Sequence, residues 1–272
     1  MTKAGYVLEF DENFTGERLD PTRWIPYYLP QWSSRAAAAA RYRVGGGHLD
    51  LRIEDDQQPW APPLDGQMRV SSLQTGLFAG PLGSDIGQHG VHPAARVREE
   101  WKNQRLYTPH YGVIEMRAKA IADADCMVAL WMIGYEEVPE RSGEICVAEI
   151  FGRDVSPESA AVGMGVHPFD DPTLHEDFTQ VRVEIDVRRF HTYTVEWTPE
   201  HVAFFIDGHL QRSLDQSPDY PMQLMLNIYE FPAERPEPET ARPKHFVVDY
   251  VRGYRPDGVP TSHLRGSAAA AD

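Results

Sequence analysis

The sequence predicts an all-β fold, a sandwich or barrel. Three observations point there: strand-like runs dominate, glycine and proline punctuate them (21 and 22 residues) and helical periodicity is weak. The 272 residues fit one β domain, since such units often run to 200–250 residues, and 42% apolar residues are enough for a real core. A single domain is expected over residues 1–258, with a small, polar, frayed tail over 259–272.

The elements follow in chain order. The Ala36–Ala40 run is short and flanked by Arg35 and Arg41, so it is given at most one helical turn. Residues 57–106 are rich in Gly, Pro, His and Trp without regular periodicity, as functional loops are. "GVIEMRAKA" (112–120) alternates apolar and polar, and "DADCMVALWMIG" (123–134) is nearly continuous, as in a strand buried on both faces. "VRVEIDV" (181–187), "HTYTVEWTP" (191–199) and "HVAFFIDGHLQRSL" (201–214) are strands, the last turning at Asp207-Gly208. "MQLMLNIYEF" (222–231) and "KHFVVDYVRGYRP" (244–256) close the chain.

Bulk properties exclude some partners. A net charge of −15 argues against nucleic acid and anionic membranes, which need a basic footprint. No run approaches the ~20 apolar residues of a membrane span. The N-terminus shows no apolar signal segment, so a cytoplasmic location is the expectation.

"SGEICVAEIFG" (142–152) places Glu144 and Glu149 in an apolar run. In a regular strand Glu149 points away from Glu144 and Cys146. A β-bulge at Val147–Ala148 returns it to their face. The two Cα atoms then stand ~13 Å apart, and inward-leaning side chains reach the ~5–5.5 Å carboxyl separation of a retaining glycosidase. The alternative is a solvated edge strand with outward glutamates. If Gly134 lies opposite Gly143, Trp131 falls opposite Cys146 and floors the same cleft, an apolar platform for a sugar ring. That register puts Cys126 near Phe151, too far from Cys146 for a disulfide.

Other residues stay open between site and packing. Trp32, Trp60 and Trp101 sit in loops beside polar residues, as sugar subsites or as packing under those loops. Asn227, Tyr229 and Glu230 alternate near a strand end, and Tyr229 is the choice for the cleft. His89, His92 and His110 with Glu99 and Glu100 fit no standard zinc spacing and read as loop residues.

At these residues the chain resembles glycoside hydrolase family 16. "GEICVAEIFG" is similar to its Glu-Ile-Asp-x-x-Glu signature. "ALWMIG", "RFHTYTVEWTPEHVAFFIDGHLQR", "FVVDYVRGYRP" and "FDENFTGERLDPTRW" resemble its other strands in the right order. The resemblance spans roughly residues 7–256. It implies a concanavalin A-like β-jelly-roll of two curved antiparallel sheets, and retaining endo-type hydrolysis or transglycosylation of a β-linked glucan- or galactan-like oligo- or polysaccharide. It implies Glu144 as nucleophile, Glu149 as acid/base, and Trp131 and His167 as cleft residues. Trp197 is favoured as core. No cofactor is required, but many members hold a structural calcium. Here Asp249 would be its side-chain ligand, with Glu9 and Gly46 giving carbonyls; the alternative is Asp249 as a solvated strand residue. Cys146 departs from the family's middle Asp. Loss of a carboxylate there should lower the proton affinity of both glutamates and move the optimum to lower pH. It also raises the alternative of a weakly active or silent carbohydrate-binding relative.

Overall fold

The computed structural model describes residues 3–90, 92–231 and 243–259. Its strands are β1 (Tyr6–Glu12), β2 (Arg41–Gly45), β3 (His48–Ile53), β4 (Arg69–Gln74), β5 (Gly76–Leu77), β6 (Gln104–Arg105), β7 (Gly112–Lys119) and β8 (Cys126–Gly134). They continue with β9 (Glu144–Phe151), β10 (Ala160–His167), β11 (Asp177–Val183), β12 (His191–Trp197), β13 (Val202–Ile206), β14 (His209–Leu214), β15 (Met222–Glu230) and β16 (Lys244–Pro256). Among the described residues two large antiparallel sheets result, beside a small β5–β6 pair. The first has the order β14-β13-β12-β7-β16-β3-β2, with β1 also on β16; the second has the order β11-β10-β9-β8-β15-β4. Among the described residues no helix is long and apolar enough to cross a membrane.

The sheets face each other across one core. Ile114, Met116, Val195, Phe204 and Val248 of the first sheet meet Leu130, Met132, Ile145, Ile150 and Leu226 of the second. A second apolar cluster lies on the other face of the second sheet. There Ala129, Trp131, Ile133, Met225 and Tyr229 pack beneath Tyr28, Trp32, Trp60 and Val97 of the loops. All nine residues of β8 and all nine of β15 are therefore buried, which explains their unbroken apolar character.

Several expectations change. The strand read at 181–187 runs over Asp177–Val183, and its second half is a bend. β2 to β6 lie where no strand is expected from the sequence. β4 lies inside the segment taken as irregular, and its Ser71 and Ser72 are fully buried against the alternation a sequence shows. The helix near Ala36 is one turn, Arg35–Ala38, capped by the Ser34 hydroxyl accepting from the Ala37 amide. The Asp207-Gly208 turn has φ of 49° and 78°, as a two-residue hairpin requires. Residues 260–272 of the expected tail lie outside the described residues.

Candidate active site

β9 carries the centre. Its partner β8 pairs Ile133 with Glu144, Trp131 with Cys146 and Leu130 with Ala148, so Val147 is the extra residue. Val147 and Ala148 both enter the inter-sheet core, and Glu149 returns to the outward face opposite Ala129. Across β10 the same three residues face His167, Gly165 and Gly163 in turn.

The thiol holds the two carboxyls together. Cys146 Sγ donates to Glu144 Oε1 at 2.8 Å and lies 3.6 Å from Glu149 Oε1. Those two oxygens are thus at most about 6.4 Å apart, the sum of the two distances to the sulfur, just below the ~6.5–9.5 Å range of inverting enzymes. Glu144 is buried, while Glu149 and His167 are half-buried and open the group to solvent. Both cysteines are free.

Burial raises both carboxyls. Glu144 is pushed up to about 8, by burial first and by Glu149 second, with the Cys146 hydrogen bond opposing. Glu149 is raised by burial too, and Cys146 and His167 pull it back. The thiol therefore acts in the expected sense, but desolvation is larger and of opposite sign. Set against solvated glutamates, burial raises the proton affinity of the pair; the acid shift expected from Cys146 is relative to an Asp at that position, and a pH profile of Cys146→Asp beside the parent tests it.

Trp131 shares the face, but it is not an open floor. The side chain is 3% exposed, its Nε1 donates to Asn227 Oδ1 at 2.7 Å, and the His89 ring lies 5.5 Å from it, centroid to centroid. His89 sits at φ 50°, its amide donates to Glu136 Oε1 at 2.7 Å, and burial lowers its imidazole to about 4. His167 stands across from Glu144, pairs through Nδ1 with Glu176 and stacks on Phe178 at 4.9 Å.

The remaining candidates divide. Tyr229 lies on the outward face of β15 but is buried between Tyr28 and Phe231. Trp32 is 1% exposed and donates to the Gln88 carbonyl, so it packs under a loop rather than lining a cleft; Trp60 does the same through the Tyr28 carbonyl. Trp101 lies beneath the Arg35 guanidinium and against Tyr27. Trp197 is core. His110 pairs with Asp219, away from His89. Phe169 and Phe231, 51% and 37% exposed, are not signalled by the sequence pattern; Phe169 touches the His89 and His167 rings, and Phe231 stacks on Tyr229.

The calcium set does not assemble. Asp249 is paired with Arg117, which already supplies a cation. β1 sets Glu9 beside Gly253 and Tyr254 of β16, four to five residues from Asp249, or ~13–16 Å. Gly46 lies in the β2–β3 turn at φ 63°. These residues do not fit a shared calcium.

Comparison with known proteins decides the family. The family model "Glycosyl hydrolases family 16" matches residues 102–252, more than half of the chain, including β7 to β15 and most of β16. This chain belongs to glycosyl hydrolases family 16. The family-16 chain is 29% identical over 168 residues to a β-glucanase of Rhodothermus marinus, covering 53% of this chain and 57% of that protein. A GlcNAcα1-4Gal-releasing endo-β-galactosidase from Clostridium perfringens superposes with a TM-score of 0.81 at 30% identity, over 94% of this chain and 63% of that one. A laminarinase from Flavobacterium, at 21% identity and a TM-score of 0.61 over 92% of this chain and all of that one, shares the fold. The chain thus spans about three fifths of the first two relatives.

Proposed function

We propose that this chain is a retaining endo-type glycoside hydrolase, or transglycosylase, acting on a β-linked glucan- or galactan-like saccharide. The carrying observation is the Val147 bulge, which sets Glu144 and Glu149 on one face within reach of a single thiol. Family membership supports the reaction class, and relatives named as a β-glucanase and an endo-β-galactosidase bracket the sugar.

In this reading the pair carries one proton, and the reactive arrangement is the one with that proton on Glu149: ionised Glu144 attacks the anomeric carbon while Glu149 delivers the proton to the leaving oxygen. Glu149 then deprotonates a water, which releases the sugar from Glu144 with net retention. Its half-exposed position suits the proton exchange. Cys146 positions Glu144 by donating to it, as a neutral group. The exposed rings of Phe169 and Phe231, on either side of the carboxyl pair, offer apolar faces to sugar rings.

The test is reducing-end release from β-glucans and β-galactans, with the first-formed anomer read by NMR. The parent should release the β-anomer. Glu149→Gln should lose about 10²–10⁴-fold in kcat. A Glu144→Gln variant as active as the parent overturns the assignment. Saccharide binding without release by the parent marks a silent binder instead.

A further inference from the structure

Among the described residues, Glu144, Cys146 and His167 each offer one ligand atom, all within 4.8 Å of one another. We propose that these three residues form a binding site for a soft or borderline divalent cation, zinc above all, whose occupancy shuts the two-carboxylate centre.

The donor set selects the metal. Zinc takes four ligands from Cys sulfur, His nitrogen and carboxylate oxygen at ~2.0–2.3 Å, which places ligand atoms about 3.5 Å apart. Cys146 Sγ already stands 2.8 Å from Glu144 Oε1, so side-chain movements of about 1 Å close the set around an ion. Glu149 Oε1, 3.6 Å from the same sulfur, or a water completes four. Calcium and magnesium want six or more hard oxygens, and a thiol with an imidazole offers them little.

The surroundings of His167 provide a second, independent observation. Its Nδ1 is held by Glu176 at 2.9 Å, leaving Nε2 as the other ring nitrogen. A carboxylate on the far nitrogen is the usual outer support of a metal-bound imidazole, because it fixes the tautomer and raises ligand basicity. Glu176 lies on the exposed side, with 61% of its side chain accessible, outside the carboxyl pair. Gly165, across from Cys146, places no side chain beside the sulfur.

The binding step is balanced simply. The ion displaces the thiol proton to solvent, the proton held by the carboxyl pair leaves Glu144 for Glu149 or solvent, and two metal–ligand bonds replace the hydrogen bond from Sγ to Glu144. Glu144 then has one oxygen turned to the ion and its charge neutralised by it, which makes it a poor nucleophile toward an anomeric carbon. This consequence rests on the function proposed above; the binding itself does not.

The experiment uses the full chain, stripped with a chelator and dialysed. Zinc is titrated by calorimetry and cobalt(II) by absorption, where a thiolate ligand gives a near-ultraviolet charge-transfer band. The parent should bind one zinc per chain and show the band. Cys146→Ser should abolish the band and weaken zinc at least tenfold, whereas Cys126→Ser should change neither. Glu176→Gln, at an exposed position that leaves folding intact, should weaken zinc about 10–100-fold. Zinc should inhibit saccharide release over the same concentrations at which it binds. The site is overturned if the folded parent binds no zinc saturably, or if Glu176→Gln and Cys146→Ser bind it like the parent. Stripped protein that binds zinc but releases no sugar fails the function proposal while sustaining the site. Stripped protein that releases sugar and ignores zinc does the reverse.

Discussion

At the scale of single residues, Glu144 sets the pH behaviour in the proposed mechanism. An ordinary glutamate ionises near 4.5, but burial and Glu149 push this one up to about 8. The groups around it are Glu149, Cys146 and Glu176, with His167 opposite. Retaining chemistry needs one proton on the pair, so a bell-shaped profile of kcat/KM should be displaced upward from the range of an ordinary glutamate pair. A profile with its acid limb near 4.5 would show the pair fully solvated. Stability follows from the same shift. Between about 4.5 and 8 the unfolded chain has released the proton that the folded chain keeps, so folding binds a proton and stability falls as pH rises through that window. Glu144→Gln removes the titration. It should stabilise the protein at pH 8 by on the order of 2 kcal/mol, at about 1.4 kcal/mol per pKa unit with partial relaxation, and do little at pH 5. Thermal melts at the two pH values check this.

At the scale of elements, the β9 bulge and its two neighbours build the candidate site. On β10, Gly165 has φ 154°, and a Cβ there would stand 2.2 Å from the Asp177 carbonyl oxygen, a backbone atom that can yield only by parting β10 from β11. Gly165→Ala should cost about 1–3 kcal/mol and lower both the melting midpoint and kcat, since Gly165 pairs with Cys146. A melt and a rate at one substrate concentration test it. Much of this region was legible in the sequence. Two glutamates five positions apart share a face only through a bulge, and the apolar run between them is the signature of a buried strand. Trp131 opposite Cys146 followed from the length of one hairpin. β4 was not legible, because Ser71 and Ser72 are buried by neighbours far along the chain. The loop tryptophans misled for a related reason. Gln31 and Ser33 flank Trp32 with polar groups, yet each is 1% exposed and hydrogen-bonded to a distant carbonyl. His89 over Trp131 and Phe169 beside His167 depend on left-handed backbone at non-glycine residues, at φ 50° and 46°, which local pattern does not signal.

At the scale of the whole molecule, the sandwich must keep its two large sheets in register, because one carries the candidate site and the other backs it. Apolar packing is non-directional, so it resists separation more than sliding. Arg212 supplies direction. It extends from β14, the edge of the first sheet, to the edge of the second: Nη1 donates to the Met164 carbonyl at 2.9 Å and the Asp177 carbonyl at 3.2 Å, and Nη2 pairs with the Asp177 carboxylate. Met164 lies on β10, one residue from the glycine facing Cys146. With 17% of its side chain exposed, Arg212 makes bonds that water replaces poorly. Arg212→Met keeps the apolar stem and removes all three bonds. It should cost about 2–3 kcal/mol, a fall of about 4–10 °C in Tm for a chain of this size. Arg188, whose guanidinium bonds the nearby Asp186 and no other group among the described residues, is the control. Arg188→Met removes a positive charge equally but ties no sheets together, so its Tm should match the parent. Equal losses from the two variants would assign the effect to net charge, and no loss from Arg212→Met would mean that packing alone holds the sheets in register.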